Sequence, residues 1–180
     1  ANFKCNASLS ETELMDVLNS YLPLDIRVIN LKEAEPRFHA RLNAKKKQYR
    51  YTINTNTVHD VFNRKYQYHL PEALNLEAMQ EAIFYLQGEH DFKSFACVRT
   101  SAETTIRTIF SVEIEKTPFN TKSSHLADSY GYVIRVTGNG FLYNMVRIIA
   151  GTLMQVGKGQ LQPQDVKEML DAKDRTAAGQ

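Results

Sequence analysis

Apolar and polar residues alternate along five segments of the chain, and this period of two predicts β-strands. The predicted strands are 1–6, 26–34, 47–53, 104–116 and 130–137. In the third of them, Lys47, Tyr49, Tyr51 and Ile53 share one face, which is therefore aromatic and apolar. In the fourth, the alternation places Thr108, Phe110, Val112 and Ile114 together. We expect the last two strands to form a hairpin across a loop at 117–129, which is rich in small polar residues.

Apolar residues at helical spacing predict four helices. They span 11–21, 75–86, 141–156 and 163–170. Ser10 and Glu13 form a capping box before the first helix, and Gly88 follows the second where helices often stop. The order of these elements favours an α+β fold with a mixed, largely antiparallel sheet and helices packed on one face.

Composition is that of a soluble globular protein, with 43% hydrophobic and 23% charged residues among 180. The longest apolar run, 141–156, contains Arg147 and is too short to cross a bilayer, so we expect no membrane span. Cys5 and Cys97 are too few for a disulfide framework, which favours a reducing, cytoplasmic environment. The five histidines show no metal-ligand spacing. The chain begins with Ala1, and we take it to be a fragment of a longer protein.

Basic residues are concentrated between Glu35 and Asp60, a stretch that contains no acidic residue. The six are Arg37, Arg41, Lys45, Lys46, Lys47 and Arg50. They could bind RNA phosphates beside a tyrosine that stacks on a base. The alternative is an ordinary solvated face, with the tyrosines packed in the core.

Arg147 is the only charged residue in 141–156. Asn139, Tyr143, Arg147 and Gly151 lie four residues apart, which predicts a polar stripe along the helix. A guanidinium beside the core needs a carboxylate or phosphate partner, because an unpaired buried charge costs about 3 to 5 kcal/mol. The alternative is that Arg147 is exposed.

His90 and Asp91 are the weakest candidates for chemistry. They follow one another in sequence, and neighbours in sequence rarely face the same site. We expect a structural role after the second helix, and an unrelated α+β enzyme built on this pair is the less favoured interpretation.

Four motifs resemble the TruA family of tRNA pseudouridine synthases, in that family's order and spacing. The motifs are FHARLNAKKKQYRYTI (38–53), GEHDFKSF (88–95), GNGFLYNMVRIIAGTLMQVGKG (138–159) and AKDRTAAGQ (172–180). The resemblance implies a pseudouridine synthase fold and isomerisation of uridine to pseudouridine in the anticodon stem-loop of tRNA. It also implies no metal, no cofactor and a homodimer when intact.

The resemblance also assigns residues to roles. Tyr49 is similar to the tyrosine that stacks on the flipped uracil, and Arg147 to the arginine that pairs with a catalytic aspartate. Residues implied in RNA binding are Arg41, Lys45, Lys46, Lys47, Arg50 and Asn139.

One motif of the family is missing from these residues. The aspartate of the family lies in a Gly-Arg-Thr-Asp motif, and no such motif occurs here. We therefore expect residues 1–180 to be a single domain, the C-terminal portion of such an enzyme, inactive without its N-terminal domain. The alternative is a non-catalytic RNA-binding module of related fold.

Overall fold

Four α-helices and five strands occur in the residues that the computed structural model describes, which are 1–6, 8–97, 102–118 and 130–178. The helices are α1 (Glu11–Tyr21), α2 (Leu76–Ala82), α3 (Met145–Gly157) and α4 (Asp165–Ala172). The strands are β1 (Lys47–Asn54), β2 (Tyr68–His69), β3 (Gly88–Asp91), β4 (Ile106–Pro118) and β5 (Tyr130–Gly138). Short 3-10 helices lie at Ile83–Leu86, Lys93–Phe95 and Arg175–Ala177. These elements fall into two compact units, Ala1–Lys45 and Lys46–Gln180.

The first unit contains α1, and the capping box predicted for its start is confirmed. The Ser10 hydroxyl accepts the Glu13 backbone N–H at 3.3 Å, and the Glu13 carboxylate accepts the Ser10 N–H at 2.9 Å. These bonds satisfy donors that the first turn of a helix leaves unpaired. The helix spans the residues predicted from sequence.

The strand predictions at 1–6 and 26–34 are wrong. The backbone N–H of Val28 donates to the Asn19 side chain at 2.8 Å, and the Val28 carbonyl accepts from the same amide at 3.0 Å. A side chain of α1 thus takes the place of a partner strand. The Asn2 side chain likewise accepts the Ala40 N–H. Alternation in sequence is typical of a strand, but strand pairing also requires a neighbouring strand.

The second unit contains a five-stranded sheet in the order β2-β1-β5-β4-β3. Only β1 and β2 pair in parallel, and the other neighbours are antiparallel. The predicted hairpin of the last two long strands is confirmed as the β4–β5 pair. The sheet is therefore mixed and largely antiparallel, as predicted, and the α+β class is confirmed.

The two faces of this sheet differ in chemistry. On one face, Tyr51, Ile134 and Ile114 lie side by side, and α2 and α3 pack over this face. On the other face, Arg50 lies opposite Arg135, whose guanidinium bonds Glu115 at 2.7 Å. The helices thus cover one face, and charged residues occupy the other.

A β-bulge in β4 overturns part of the predicted alternation. The pairing with β5 shifts between Ile109 and Ser111. Ile109 therefore joins Val112 in the core, whereas Phe110 is exposed. An inserted residue reverses the face of every residue on one side of it. Lys46 lies over the exposed Phe110 ring, with its Nζ 5.3 Å from the centroid.

The predicted helices are confirmed, with shifted ends. The second continues from α2 into the 3-10 turn that ends at Leu86, and the third begins at Met145 rather than at residue 141. The predicted loop 117–129 begins two residues later, because β4 runs to Pro118, and its remainder lies outside the described residues. Within the described residues, no helix has the length and apolar character needed to cross a membrane.

We predict that Gly157→Ala destabilises the protein by about 1 to 3 kcal/mol, the usual cost of overpacking a core. A Cβ at Gly157 would lie 2.7 Å from the Met79 Sδ and 3.2 Å from the Leu74 Cδ2, both in the buried contact between α2 and α3. Urea denaturation should show a lower midpoint at an unchanged slope. In a Met79→Ala background, where the clashing side chain is shorter, Gly157→Ala should lower the free energy of unfolding by less. Simple additivity of the two changes would contradict the proposed clash.

Candidate active site

An open cavity of about 770 Å³ lies in the second unit, against the helix-covered face of β1. Three segments line it, residues 49–52 of β1, residues 65–68 before and within β2, and residues 141–147 at the start of α3. The β1–β2 pairing brings residues 65–68 beside β1, and the β1–β5 pairing brings in the residues that follow β5 and begin α3.

β1 contributes both side chains and backbone to the cavity. Tyr49 and Tyr51 point from its covered face, and Tyr49 is 52% exposed. The Asn54 carbonyl accepts the Leu70 N–H at 2.8 Å, so it points toward the β2 side. The backbone N–H and C=O groups of alternate residues point to the same side of a strand. Those of Thr52 and Arg50 therefore point to the same side as those of Asn54, beyond the end of β2. The cavity therefore borders a strand edge that has no partner among the described residues.

Phe141 fixes the orientation of Tyr49. The two rings meet edge to face, with centroids 5.1 Å apart and planes at 83°. Gly138 allows Phe141 to lie there, because a Cβ at Gly138 would be 3.3 Å from the Phe141 ring and 2.8 Å from the Thr108 carbonyl oxygen. An edge-to-face contact leaves part of the tyrosine ring open to a third ring. Tyr49 is thus a supported and accessible aromatic surface.

Arg147 lies in the first turn of α3 and is exposed. Among the described residues it therefore does not carry the cost of a buried charge, and its pairing with a carboxylate from outside them stays a prediction. Its guanidinium makes no hydrogen bond or ion pair with the residues that the structure describes. The predicted polar stripe is wrong, because Asn139 and Tyr143 precede the helix.

Asn144 occupies the left-handed region, with φ of 61°, immediately before α3. Asparagine tolerates this conformation better than most residues. Its side chain makes no capping hydrogen bond to the helix, although it lines the cavity. The amide is therefore able to bind a ligand, and this residue turns the chain so that Arg147 faces the cavity.

The cavity is electropositive. Among its lining residues, Lys65 and Arg147 are basic and none is acidic, while Arg50 borders the cavity on β1 with its side chain on the opposite face of the sheet. Burial raises the pKa of the Tyr51 phenol, Tyr68 raises it further, and the positive charge of Arg147 lowers it by a smaller amount. An anionic group fits such a site, as does an uncharged ring that stacks on Tyr49.

The predicted basic residues are not all at this cavity. Arg41 and Lys45 belong to the first unit and are exposed, whereas Lys46, Lys47 and Arg50 belong to the second. The side chain of Arg50 lies on the open face of the sheet, where its charge contributes to lowering the pKa of Glu115, after the larger effect of the Arg135 hydrogen bond.

Asn139, predicted to bind RNA, uses its side chain to hold the turn before α3. Its Oδ1 accepts the Thr108 N–H at 3.1 Å, and its Nδ2 donates to the Thr108 hydroxyl at 3.3 Å. The Asn139 backbone N–H also donates to the Thr108 carbonyl at 3.0 Å. These bonds fasten the turn to β4 beside the bulge.

His90 and Asp91 are both used locally. The His90 Nε2 bonds the Gln87 carbonyl oxygen at 2.7 Å, and the Asp91 carboxylate accepts from the Lys93 backbone and the Thr105 hydroxyl. Both lie in β3, where neighbouring side chains point to opposite faces. Within the described residues, no group of three or more His, Cys, Asp or Glu is placed to hold a metal ion.

Three features of the site were not predicted from sequence. Phe141 and Asn144 were taken as ordinary positions of an apolar helix, and residues 65–68 were assigned no element. An asparagine inside an apolar run and directly before Met-Val-Arg was the available signal for a helix start at 145. No comparable signal marks 65–68, because β2 is only two residues long.

Comparison with known proteins gives consistent matches. A family model described as tRNA pseudouridine synthase matches residues 82–180. The chain is 48% identical over 162 residues to the tRNA pseudouridine synthase A of Bacillus subtilis, covering 90% of this chain and 61% of that protein. It is 42% identical over 180 residues to the enzyme of that name from Thermoanaerobacter pseudethanolicus, covering 99% of this chain and 69% of the relative. The chain therefore spans about six- to seven-tenths of the length of such relatives.

We predict that Tyr51→Phe removes a phenol that titrates above the usual pKa of about 10. Because the folded protein favours the neutral phenol, this contribution to stability is complete below pH 10 and decreases as pH rises through the raised pKa. Titrating the tyrosinate absorbance of wild type and variant, and subtracting the two curves, gives the titration of the Tyr51 phenol. Loss of a component that titrates at or below the usual value would contradict the burial of this hydroxyl.

Proposed function

Because the chain belongs to the tRNA pseudouridine synthase family, we propose that the protein of which these residues form part is an isomerase that converts uridine in tRNA to pseudouridine. The target is the anticodon stem-loop. The observation that supports this proposal is the placement of Tyr49 and Arg147 on one electropositive cavity.

Tyr49 acts as the stacking partner of the target uracil. A base inside an RNA helix must leave its stack before its glycosidic bond can be reached, which costs a few kcal/mol. Stacking on an aromatic side chain returns about 1 to 3 kcal/mol per base. Phe141 holds the Tyr49 ring in place at 5.1 Å, so little additional order is needed when the base arrives.

Arg147 holds the carboxylate of the catalytic aspartate. The aspartate attacks the nucleotide, the glycosidic bond breaks, the uracil turns, and a carbon–carbon bond forms in its place as the bond to the aspartate breaks and its carboxylate is released. A guanidinium binds a carboxylate through two parallel N–H donors, which fixes the orientation of the carboxylate as well as its charge. The guanidinium of Arg147 is exposed, and its donors make no hydrogen bond to the described residues.

The reaction needs no redox partner. The bond from the ribose to N1 of uracil is replaced by a bond to C5, C5 loses a proton and N1 gains one. Substrate and product contain the same atoms, and no electrons are supplied or removed. A site built from side chains alone is therefore sufficient, and we propose that neither metal nor organic cofactor takes part.

We further propose that residues 1–180 act as the C-terminal portion of the enzyme. Gly-Arg-Thr-Asp does not occur in them, so the nucleophile comes from elsewhere and these residues alone do not turn over uridine. The intact enzyme is a cytoplasmic homodimer in this proposal. RNA phosphates meet the basic residues Arg41, Lys45, Lys46, Lys47 and Arg50, of which all but the half-buried Lys47 are exposed, while Asn139 supports the turn beside the cavity.

In the full-length enzyme, Tyr49→Ala should lower RNA affinity about tenfold to a hundredfold, the equivalent of one lost stacking contact. Tyr49→Phe is the matched control and should keep most of the affinity, because the ring remains. Release of tritium from tRNA labelled at C5 of uracil measures turnover in parallel. Equal affinity of the alanine variant and wild type would contradict stacking on Tyr49.

Arg147→Ala should reduce turnover about a hundredfold or more, the typical effect of removing a group that organises charge in a site. RNA affinity should fall far less, because most phosphate contacts lie elsewhere. Arg135→Ala removes the same charge from the open face of the sheet and should leave turnover near that of wild type. An Arg147→Ala enzyme that keeps full turnover would overturn the catalytic proposal.

A further inference from the structure

A second, smaller cleft of about 340 Å³ adjoins the larger cavity. Tyr51, Tyr68, Asn144 and Arg147 line both. Arg175 lines only the smaller cleft. The two spaces are thus continuous along the N-terminal end of α3, and Arg147 lies where they meet.

Two arginines line this cleft, and no acidic residue does. No ion pair joins Arg147 or Arg175 to a carboxylate among the described residues. Two positive charges on one small cleft favour binding of an anion there. The lining of this cleft therefore suits an anionic ligand.

Arg175 is held in place before any ligand binds. It begins the 3-10 turn Arg175–Ala177, which the Asp174 side chain caps by accepting the Thr176 N–H at 2.9 Å. The Arg175 Nη1 donates to the Ala178 carbonyl at 3.1 Å. A guanidinium has five N–H donors, so this bond orients the group and leaves the others for a ligand.

We propose that the smaller cleft is a phosphate subsite, in which Arg175 and Arg147 bind the phosphodiester of the nucleotide whose base occupies the larger cavity. This assignment rests on the proposed function. Base and phosphate of one nucleotide are joined through its ribose, so adjoining clefts suit them. The planar fork of arginine matches phosphate oxygens in pairs, and Asn144 supplies an amide with no bond to the helix.

The guanidinium of Arg147 has N–H donors on two edges, so it can bind a group in the larger cavity and another in the smaller cleft. One edge faces the carboxylate that the reaction requires, and the other faces the phosphate. Arg175 does not line the larger cavity, where the base reacts in the proposed function. Its role is therefore positioning of the substrate, and its substitution should weaken RNA binding without changing the chemistry of the bound complex.

The test measures binding of a short single-stranded oligouridine to the 180-residue chain over a range of salt concentrations. Arg175→Ala should lower affinity about tenfold and reduce the slope of log affinity against log salt by about 0.7, the value for one phosphate contact on a single strand. Arg175→Lys should keep the slope and recover part of the affinity. Arg135→Ala, with the same charge lost on the opposite face, should change neither quantity as much.

A second measurement does not depend on comparing the stability of variants. Single neutral methylphosphonate linkages are placed along the oligouridine in turn. At one position the neutral linkage should weaken binding to wild type more than binding to Arg175→Ala, which keeps only the Arg147 contact, and that position identifies the phosphate that Arg175 contacts. Overturning results are an Arg175→Ala protein with wild-type affinity and slope, an oligouridine that does not bind, or methylphosphonate effects that are the same in both proteins.

Turnover of tRNA by the full-length enzyme separates this inference from the proposed function. In that enzyme, Arg175→Ala should raise KM more than it lowers kcat, because binding and not chemistry is affected. Pseudouridine formation with unchanged KM in Arg175→Ala would leave the function standing and overturn the subsite. A phosphate contact at Arg175 in a full-length protein that forms no pseudouridine would support the subsite and overturn the proposed function.

Discussion

The register of β1 on β5 is the constraint on which the site depends. It places Tyr49 opposite Val136 and Tyr51 opposite Ile134, on the face that the helices cover. Because side chains alternate with a period of two, a slip of one residue would turn both tyrosines to the open face and carry Arg50 into the core. Burying that charge without a partner costs several kcal/mol. The hydrophobic effect that buries Ile53 at the end of the same strand therefore also directs the tyrosines to the cavity.

Helix α3 connects the core to the cavity. Nearly all of its residues are buried, and its last residue, Gly157, packs without a side chain against Met79 of α2. Its first turn reaches the cavity, where Arg147 is exposed between the buried neighbours Val146 and Ile148. Because the core covers the other faces of the helix, Arg147 is on the face that remains exposed. A helix this apolar has one stable rotation about its axis, and that rotation leaves Arg147 at the rim.

Sequence patterns predicted the elements whose burial follows a long, regular period. The alternation of β1 and the apolar run of α3 were sufficient to place Tyr49 and Arg147 on elements of the correct type. Predictions were wrong where a tertiary contact decided the outcome. The Asn19 side chain, not a strand, bonds the backbone of Val28, and a bulge after Ile109 exposes Phe110. Such contacts join residues far apart in sequence and leave no local period.

The electropositive character of the site also has a physical consequence. Arg147 and Arg175 line a common cleft whose lining has no carboxylate among the described residues, which favours binding of an anion there. In the proposed subsite, this gives binding free energy at a phosphate that does not react. In the proposed arrangement, that free energy holds the neighbouring base against Tyr49, whose ring is in edge-to-face contact with Phe141. In this proposal, Arg175 binds the nucleotide at its phosphate and Tyr49 binds it at its base, and Arg147 lines both spaces.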